Sequence, residues 1–190
     1  MCAESEAKFG GIDILVSNCG GPPMAAALEP DDAMWRAQFE SMVLTPIRAA
    51  RHVVPGMRQR RWGRVIAITA STVAQPMPEM ALSNTLRAAL TNWCKTLANE
   101  VAADNVTVNT LIPGRISTER IKALNDAEAA RRGVDPEIVQ AAGVAAVPAK
   151  RDGDVKEFAA AALFLASDAG SYVTGGALRV DGGMIRSVMA

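Results

Sequence analysis

The stretch NVTVNTLIPGRIST, residues 105–118, carries a nearly continuous apolar run, VTVNTLI at 106–112, that stops at a Pro-Gly pair. The apolar residues do not alternate with polar ones, so the run reads as a strand covered on both faces, as in a parallel sheet between helices. Three further runs share its character: IDILVS at 12–17, RVIAITA at 64–70 and ALRVDGG at 177–183. Segments with helical spacing separate them. Strand and helix in alternation predict an α/β fold with a parallel sheet.

The clearest helix is 81–101, where Leu82, Leu86, Ala89, Leu90, Trp93, Leu97 and Val101 recur every three or four residues as one apolar stripe. Ser83, Arg87 and Thr91 fall on another face. Residues 31–60 form a second helical region, opened by Pro30 and two aspartates that suit a helix N-terminus. Pro46 inside it costs about 3 kcal/mol in a regular helix, which predicts a kink or two helices. Residues 119–150, charged, alanine-rich and punctuated by Gly133, Pro136, Gly143 and Pro148, read as short mobile helices.

A chain of 190 residues suffices for one domain, taken as 1–190. Twenty Lys and Arg balance twenty Asp and Glu, so no net field draws a polyanion or an anionic membrane, and nucleic acid is not an expected partner. The longest apolar run, FAAAALFLA at 158–166, is too short for the roughly 20 residues of a membrane span. The first residues lack the basic start and apolar core of a leader. Three cysteines at irregular spacing, Cys2, Cys19 and Cys94, with a single histidine, His52, argue against a structural disulfide or zinc site and suit a reducing cytoplasm.

Four stretches in fixed order resemble the short-chain dehydrogenase/reductase family. GGIDILVSNCGG is similar to that family's Asn-Asn-Ala-Gly strand end, with Ser17-Asn18-Cys19-Gly20 in its place. GRVIAITAS resembles the strand that delivers a catalytic serine, and NVTVNTLIPGRIST the Pro-Gly strand end whose later threonine, here Thr118, touches the nicotinamide. EFAAAALFLASDAGSYVTGGALRVDGG resembles the last helix and strand almost throughout. The resemblance implies a Rossmann-like sheet with helices on both faces. It also implies NAD or NADP as cofactor, a small-molecule substrate, carbonyl/alcohol hydride transfer and a homo-oligomer built partly on helix 81–101 and its neighbour at 31–60. The implied cofactor contacts are Asn18, Gly20, Arg87, Pro113, Gly114 and Thr118.

The chain departs from the family in two respects. The Gly-rich strand-turn-helix that holds the cofactor phosphates does not precede Gly10, so the first strands of the usual fold are expected to be missing and IDILV becomes an apolar open edge. The family's Asn, Ser, Tyr and Lys set falls on Met42, Ala70 or Ser71, Ser83 and Arg87. A tyrosine is tuned toward neutrality by a cation four residues on, on the same helical face. Ser83 and Arg87 keep those places without that acidity, since an aliphatic hydroxyl needs a base and a guanidinium stays protonated. Ser71, Ser83 and Arg87 are the catalytic candidates. Two other readings stay open: a non-redox relative serving as a binding or association domain, and a cofactor-free lyase or hydrolase using Arg87 with Ser71 or Ser83. Glu79, His52 and Arg60, Arg61 and Arg64 read as solvated surface, Cys19 and Cys94 as packed thiols, and Asp181 as an organiser of the C-terminal turn.

Overall fold

A computed structural model describes residues 2–188, excluding the side chains of Cys2 and Ala3; the reading of Cys2 therefore lies outside the described residues. Four parallel strands, β1 (Ile14–Ser17), β2 (Gly63–Ile68), β3 (Val106–Pro113) and β4 (Ala177–Val180), lie side by side in chain order. Their register, Ser17 beside Ala67, Ile68 beside Leu111 and Pro113 beside Val180, brings all four carboxyl ends to one edge of the sheet.

Helices α3 (Thr45–Arg60) and α4 (Ala81–Val101) cover one face, packing Ala50, Val53, Met57, Leu90, Cys94 and Ala98 on Val65, Ala67, Val106 and Val108. Helix α7 (Val155–Ala166) covers the other, with Leu165 on Ile66 and Leu111. The sheet is crossed in the same direction each time, so the β3-to-β4 connection, passing over the opposite face, has the opposite hand to the first two. That route leaves α5 (Glu119–Arg132) and α6 (Pro136–Ala146) beyond the strand ends.

The region 31–60 divides as its proline requires. Helix α2 (Asp32–Phe39), with Asp31 accepting the Met34 N–H at 2.8 Å, runs into a π-helical turn over Glu40–Leu44. Pro46 then falls in the first turn of α3, where a missing N–H costs nothing. The helices beyond the sheet have explicit caps: Thr118 and Asp135 at the starts of α5 and α6, Gly133 at φ 64° closing α5, and an Asp154–Glu157 capping box opening α7.

Three expectations need correction. β2 and β3 are covered on both faces, but β1 is not: Ile14 and Val16 stand 44% and 49% exposed at the edge, on the α7 side. Arg64 is no loop residue. It is 0% exposed on β2, stacked on Trp62, and donates to the carbonyls of Gly63, Asn105 and Ser167, so it ties the start of β2 to the end of α7. The third concerns α4, whose polar positions Ser83 and Arg87 are buried with Leu82, Leu86 and Leu90, whereas Ala89 is exposed. α4 is sunk between the sheet and the α2–α3 unit, so two of its faces are inside.

Candidate functional site

In a parallel sheet the loops beyond the carboxyl ends of the strands frame a crevice. Here Arg87 forms its floor. Nη1 donates to Ile68 O at 3.0 Å, and Nη2 to Cys19 O at 3.0 Å and Gly20 O at 3.1 Å, so one side chain holds the ends of β1 and β2 together. Nη1 also reaches Cys19 Sγ at 3.1 Å. The loop after β1 is anchored a second time, where Ala25 and the Glu79–Ala81 segment exchange backbone bonds of 2.8 and 3.2 Å. Asn84, one residue past Ser83, receives the Met77 N–H and donates to Met77 O at 2.9 Å, fixing the loop before α4.

Above this floor the candidates divide by burial. Ser71 opens a short helical turn, Ser71–Val73, and is half-buried, whereas Ala70, the other position expected for a serine, is extended and presents only a methyl group. Its neighbour Thr72 points inward and meets Ser83, Oγ1 to Oγ 3.2 Å, in a buried hydroxyl pair. Such a pair uses one of its two protons internally and keeps one to offer. Behind it, Met42 of the π-helical turn is 0% exposed and packs with Leu82, Leu86 and Cys19.

The expected cofactor contacts are spread around the mouth. Asn18, Gly20 and Thr118 are exposed. A Cβ added at Gly20 would meet nothing within 4 Å, so open space adjoins the backbone there. At Gly21 the Arg120 guanidinium crosses over from α5, with Nη2 2.7 Å from where a Cβ would sit. Thr118 caps α5 and its hydroxyl donates to Ile116 O at 3.3 Å. Gly114 turns away from the mouth: a Cβ there would come within 2.3 Å of Asp181 Cα, so this glycine serves the packing of β3 against the turn after β4. Asp181 organises that turn by accepting the N–H groups of Gly183 and Ile185 at 2.9 and 2.8 Å. The open backbone at Gly20 and the cation above Gly21 suit a flat nicotinamide with an anionic tail, so the nicotinamide half of a dinucleotide fits this mouth.

Arg87 is not free to be the cofactor contact expected of it. Its side chain is 5% exposed and its terminal nitrogens are committed to the strand ends. The same burial removes the active group of a lyase or hydrolase built on it. Cys19 is half-buried rather than packed away. Glu79 is exposed, at φ 57°. His52 is exposed too and lies 2.7 Å from Glu6 on α1 (Cys2–Phe9). Among the described residues, no cluster of three His, Cys, Asp or Glu could hold a metal, and no helix is long and apolar enough to cross a membrane.

Sequence reasoning missed Thr72, and it missed a polar hub under α5 and α6. Arg115 donates to Asn125 Oδ1 at 3.1 Å and to Gln140, and its Nε lies 2.7 Å from Asp152 Oδ1 but off the N–H axis, so that contact is an ion pair without a hydrogen bond. Gln140 donates to Asp152 Oδ2 at 2.7 Å, and Asn125 to Gln140 at 2.6 Å. Four segments meet there. Thr72 could have been found from its place beside a strand-end serine, but the hub joins residues up to 37 positions apart, from Arg115 to Asp152, with no motif linking them.

Comparison with known proteins agrees with this architecture. The family described as enoyl-(acyl carrier protein) reductase matches residues 1–185. A 3-oxoacyl-(acyl carrier protein) reductase of Vibrio cholerae is 36% identical over 177 residues, 93% of this chain and 68% of that enzyme. L-sorbose reductase of Gluconobacter frateurii, solved with NADPH and L-sorbose, superposes with a TM-score of 0.92 at 34% identity, over 98% of this chain and 72% of that one. An NADPH-dependent reductase involved in bacilysin biosynthesis gives the same TM-score at 29% identity, over 98% and 72%.

Proposed function

The chain belongs to the short-chain dehydrogenase/reductase family of oxidoreductases, and from that premise we propose that its crevice reduces a small carbonyl compound with NAD(P)H, using hydroxyl groups where its relatives use an ionisable acid. The observation that carries this reading is the buried Thr72–Ser83 pair, 3.2 Å apart at the strand ends and one helical turn from Arg87.

A reduced nicotinamide supplies the hydride when bound. The Asn18–Gly20 backbone and Thr118 would hold its nicotinamide end and Arg120 its phosphates, with Pro113 stiffening the strand end. Ser71, half-exposed, donates a hydrogen bond to the substrate oxygen, and the spare proton of the Thr72–Ser83 pair supports it from below. Arg87 is a positioning residue: it holds Cys19, Gly20 and Ile68 in register and moves no proton. The tunable Tyr and Lys of the family are replaced by Ser83 and Arg87. The nascent alkoxide therefore draws its proton from water through the hydroxyls, which forgoes the ~10²–10⁴-fold that a positioned acid contributes.

The reading includes one domain over 1–190, a reducing cytoplasmic setting and a homo-oligomer. The last is supported by the groove between α3 and α4, where Trp93 and Leu97 are only partly buried. The test of function is NADPH oxidation by the purified protein with a panel of small ketones. The expected result is slow turnover that falls at least about tenfold in Thr72→Val/Ser83→Ala, in line with the loss of a hydrogen-bond donor to the developing oxyanion. A double variant with unchanged turnover would contradict the role given to the pair.

A further inference from the structure

Outside the crevice, three guanidinium groups line a cavity of about 290 Å³ between the 149–153 segment, the start of α7 and the turn after β4. They belong to Arg115, Arg151 and Arg179, and two carboxylates, Glu157 and Asp181, share the wall. The acids are saturated. Glu157 accepts two bonds from Arg151 and one from the Asp154 N–H, and Asp181 accepts one backbone N–H on each oxygen, from Gly183 and Ile185. The cations are not. Arg179, half-buried on β4, pairs with no carboxylate among the described residues; its Nη1 donates to Ser187 O, and its Nε and Nη2 donate to no described atom. Arg151 uses both terminal nitrogens and keeps its Nε–H. The wall therefore carries one more positive than negative charge together with spare guanidinium donors, and the twelve-residue helix α7 begins beside it with the positive end of its dipole.

We propose that this cavity is a second ligand site, separate from the crevice, that takes a small phosphate ester. A phosphate dianion offers enough oxygens and charge to engage Arg179 and Arg151 together, whereas a carboxylate is matched by a single guanidinium fork. The volume exceeds what a phosphate group alone fills, so it admits the short organic group that carries it. Arg115 gives the site a link to the rest of the molecule. It holds Asn125 of α5 and Gln140 of α6, and Gly153 exchanges backbone bonds of 2.8 and 2.9 Å with Arg115 and Ser117. The cavity thus adjoins the base from which α5 and α6 project, and a ligand that ties β4 to the 149–153 segment steadies that base. Binding there does not depend on hydride transfer.

The experiment titrates glycerol 3-phosphate calorimetrically into the whole protein without nucleotide, at fixed ionic strength, with glycerol as the neutral control. One saturable site per chain is expected for the ester and none for glycerol. Arg179→Gln is expected to weaken binding at least about tenfold, in keeping with the loss of a charge-assisted hydrogen bond. Arg120→Gln, which alters the crevice instead, is expected to leave the affinity unchanged. Protease cleavage within 119–150 is expected to slow when the ester is bound, and an unchanged rate would overturn the link to α5 and α6. Absence of saturable binding to the wild type, or binding that falls with Arg120→Gln and not with Arg179→Gln, would overturn the site itself. The wild-type titration needs no variant, and Arg151→Gln gives the same reading if Arg179→Gln does not fold.

Discussion

A single guanidinium at position 87 joins the ends of two strands, and its worth lies in what its removal would strand. Arg87→Met keeps the volume but leaves the carbonyls of Ile68, Cys19 and Gly20 without their donor. An unpaired carbonyl costs about 1–3 kcal/mol where buried and little where water replaces the donor, as at the exposed Gly20, and relief from burying the charge offsets part, so the expected loss is about 2–4 kcal/mol. Urea unfolding measures it; a change below about 0.5 kcal/mol would show that the floor of the crevice stands without Arg87. Position 87 was legible as a departure from the tyrosine–lysine spacing, but its burial was not. Helical periodicity separates an apolar stripe from a polar one, and α4 is enclosed on both, so Ser83 and Arg87 fold inward together. Thr72 escaped notice for a related reason: its partner lies 11 residues away, and the turn at Ser71–Val73 that aims it inward leaves no mark in hydropathy.

Among the elements, the strands were the most legible, since β2 and β3 depend on continuous apolar runs that only a covered parallel strand tolerates. The loops beyond them were the least, because their order comes from long-range polar contacts. In the hub, Arg115 and Asp152 have side chains 14% and 13% exposed, so Arg115→Met would leave a carboxylate nearly out of water and is expected to cost about 3–5 kcal/mol. Protease cleavage within 119–150 should rise in parallel; an uncleaved, fully stable variant would show that the hub carries no load. The start of α7 makes a pH prediction. Glu157 accepts two bonds from Arg151 and one from the Asp154 N–H, and the Arg151 bond chiefly lowers its carboxyl from the usual 4.5 to about 2. A carboxyl depressed in the folded state adds stability that is present above its unfolded value and lost as pH falls from about 4.5 to 2. Melting temperatures of Glu157→Gln should therefore approach those of the wild type as acid is added across that window, and a constant difference would refute the linkage.

For the molecule as a whole, four strands in chain order with helices on both faces place every candidate group at one edge of the sheet, and the comparisons agree with that arrangement over nearly all of the chain. The same arrangement leaves apolar surface bare at β1 and on α7, where Leu163 is 69% exposed. With the α3–α4 groove, this makes a homo-oligomer the expected state at micromolar concentration; light scattering that returns one 20.0 kDa chain would contradict it. Chemically, the whole rests on hydroxyl groups standing where a tunable acid would be. The direct test is the rate of NADPH oxidation with a small ketone from about pH 6 to pH 9. The expected profile is slow and nearly flat, changing by less than about threefold, because no group that touches the substrate ionises in that range. A rate that changes tenfold through a single ionisation, or no NADPH-dependent turnover at any pH, would contradict it.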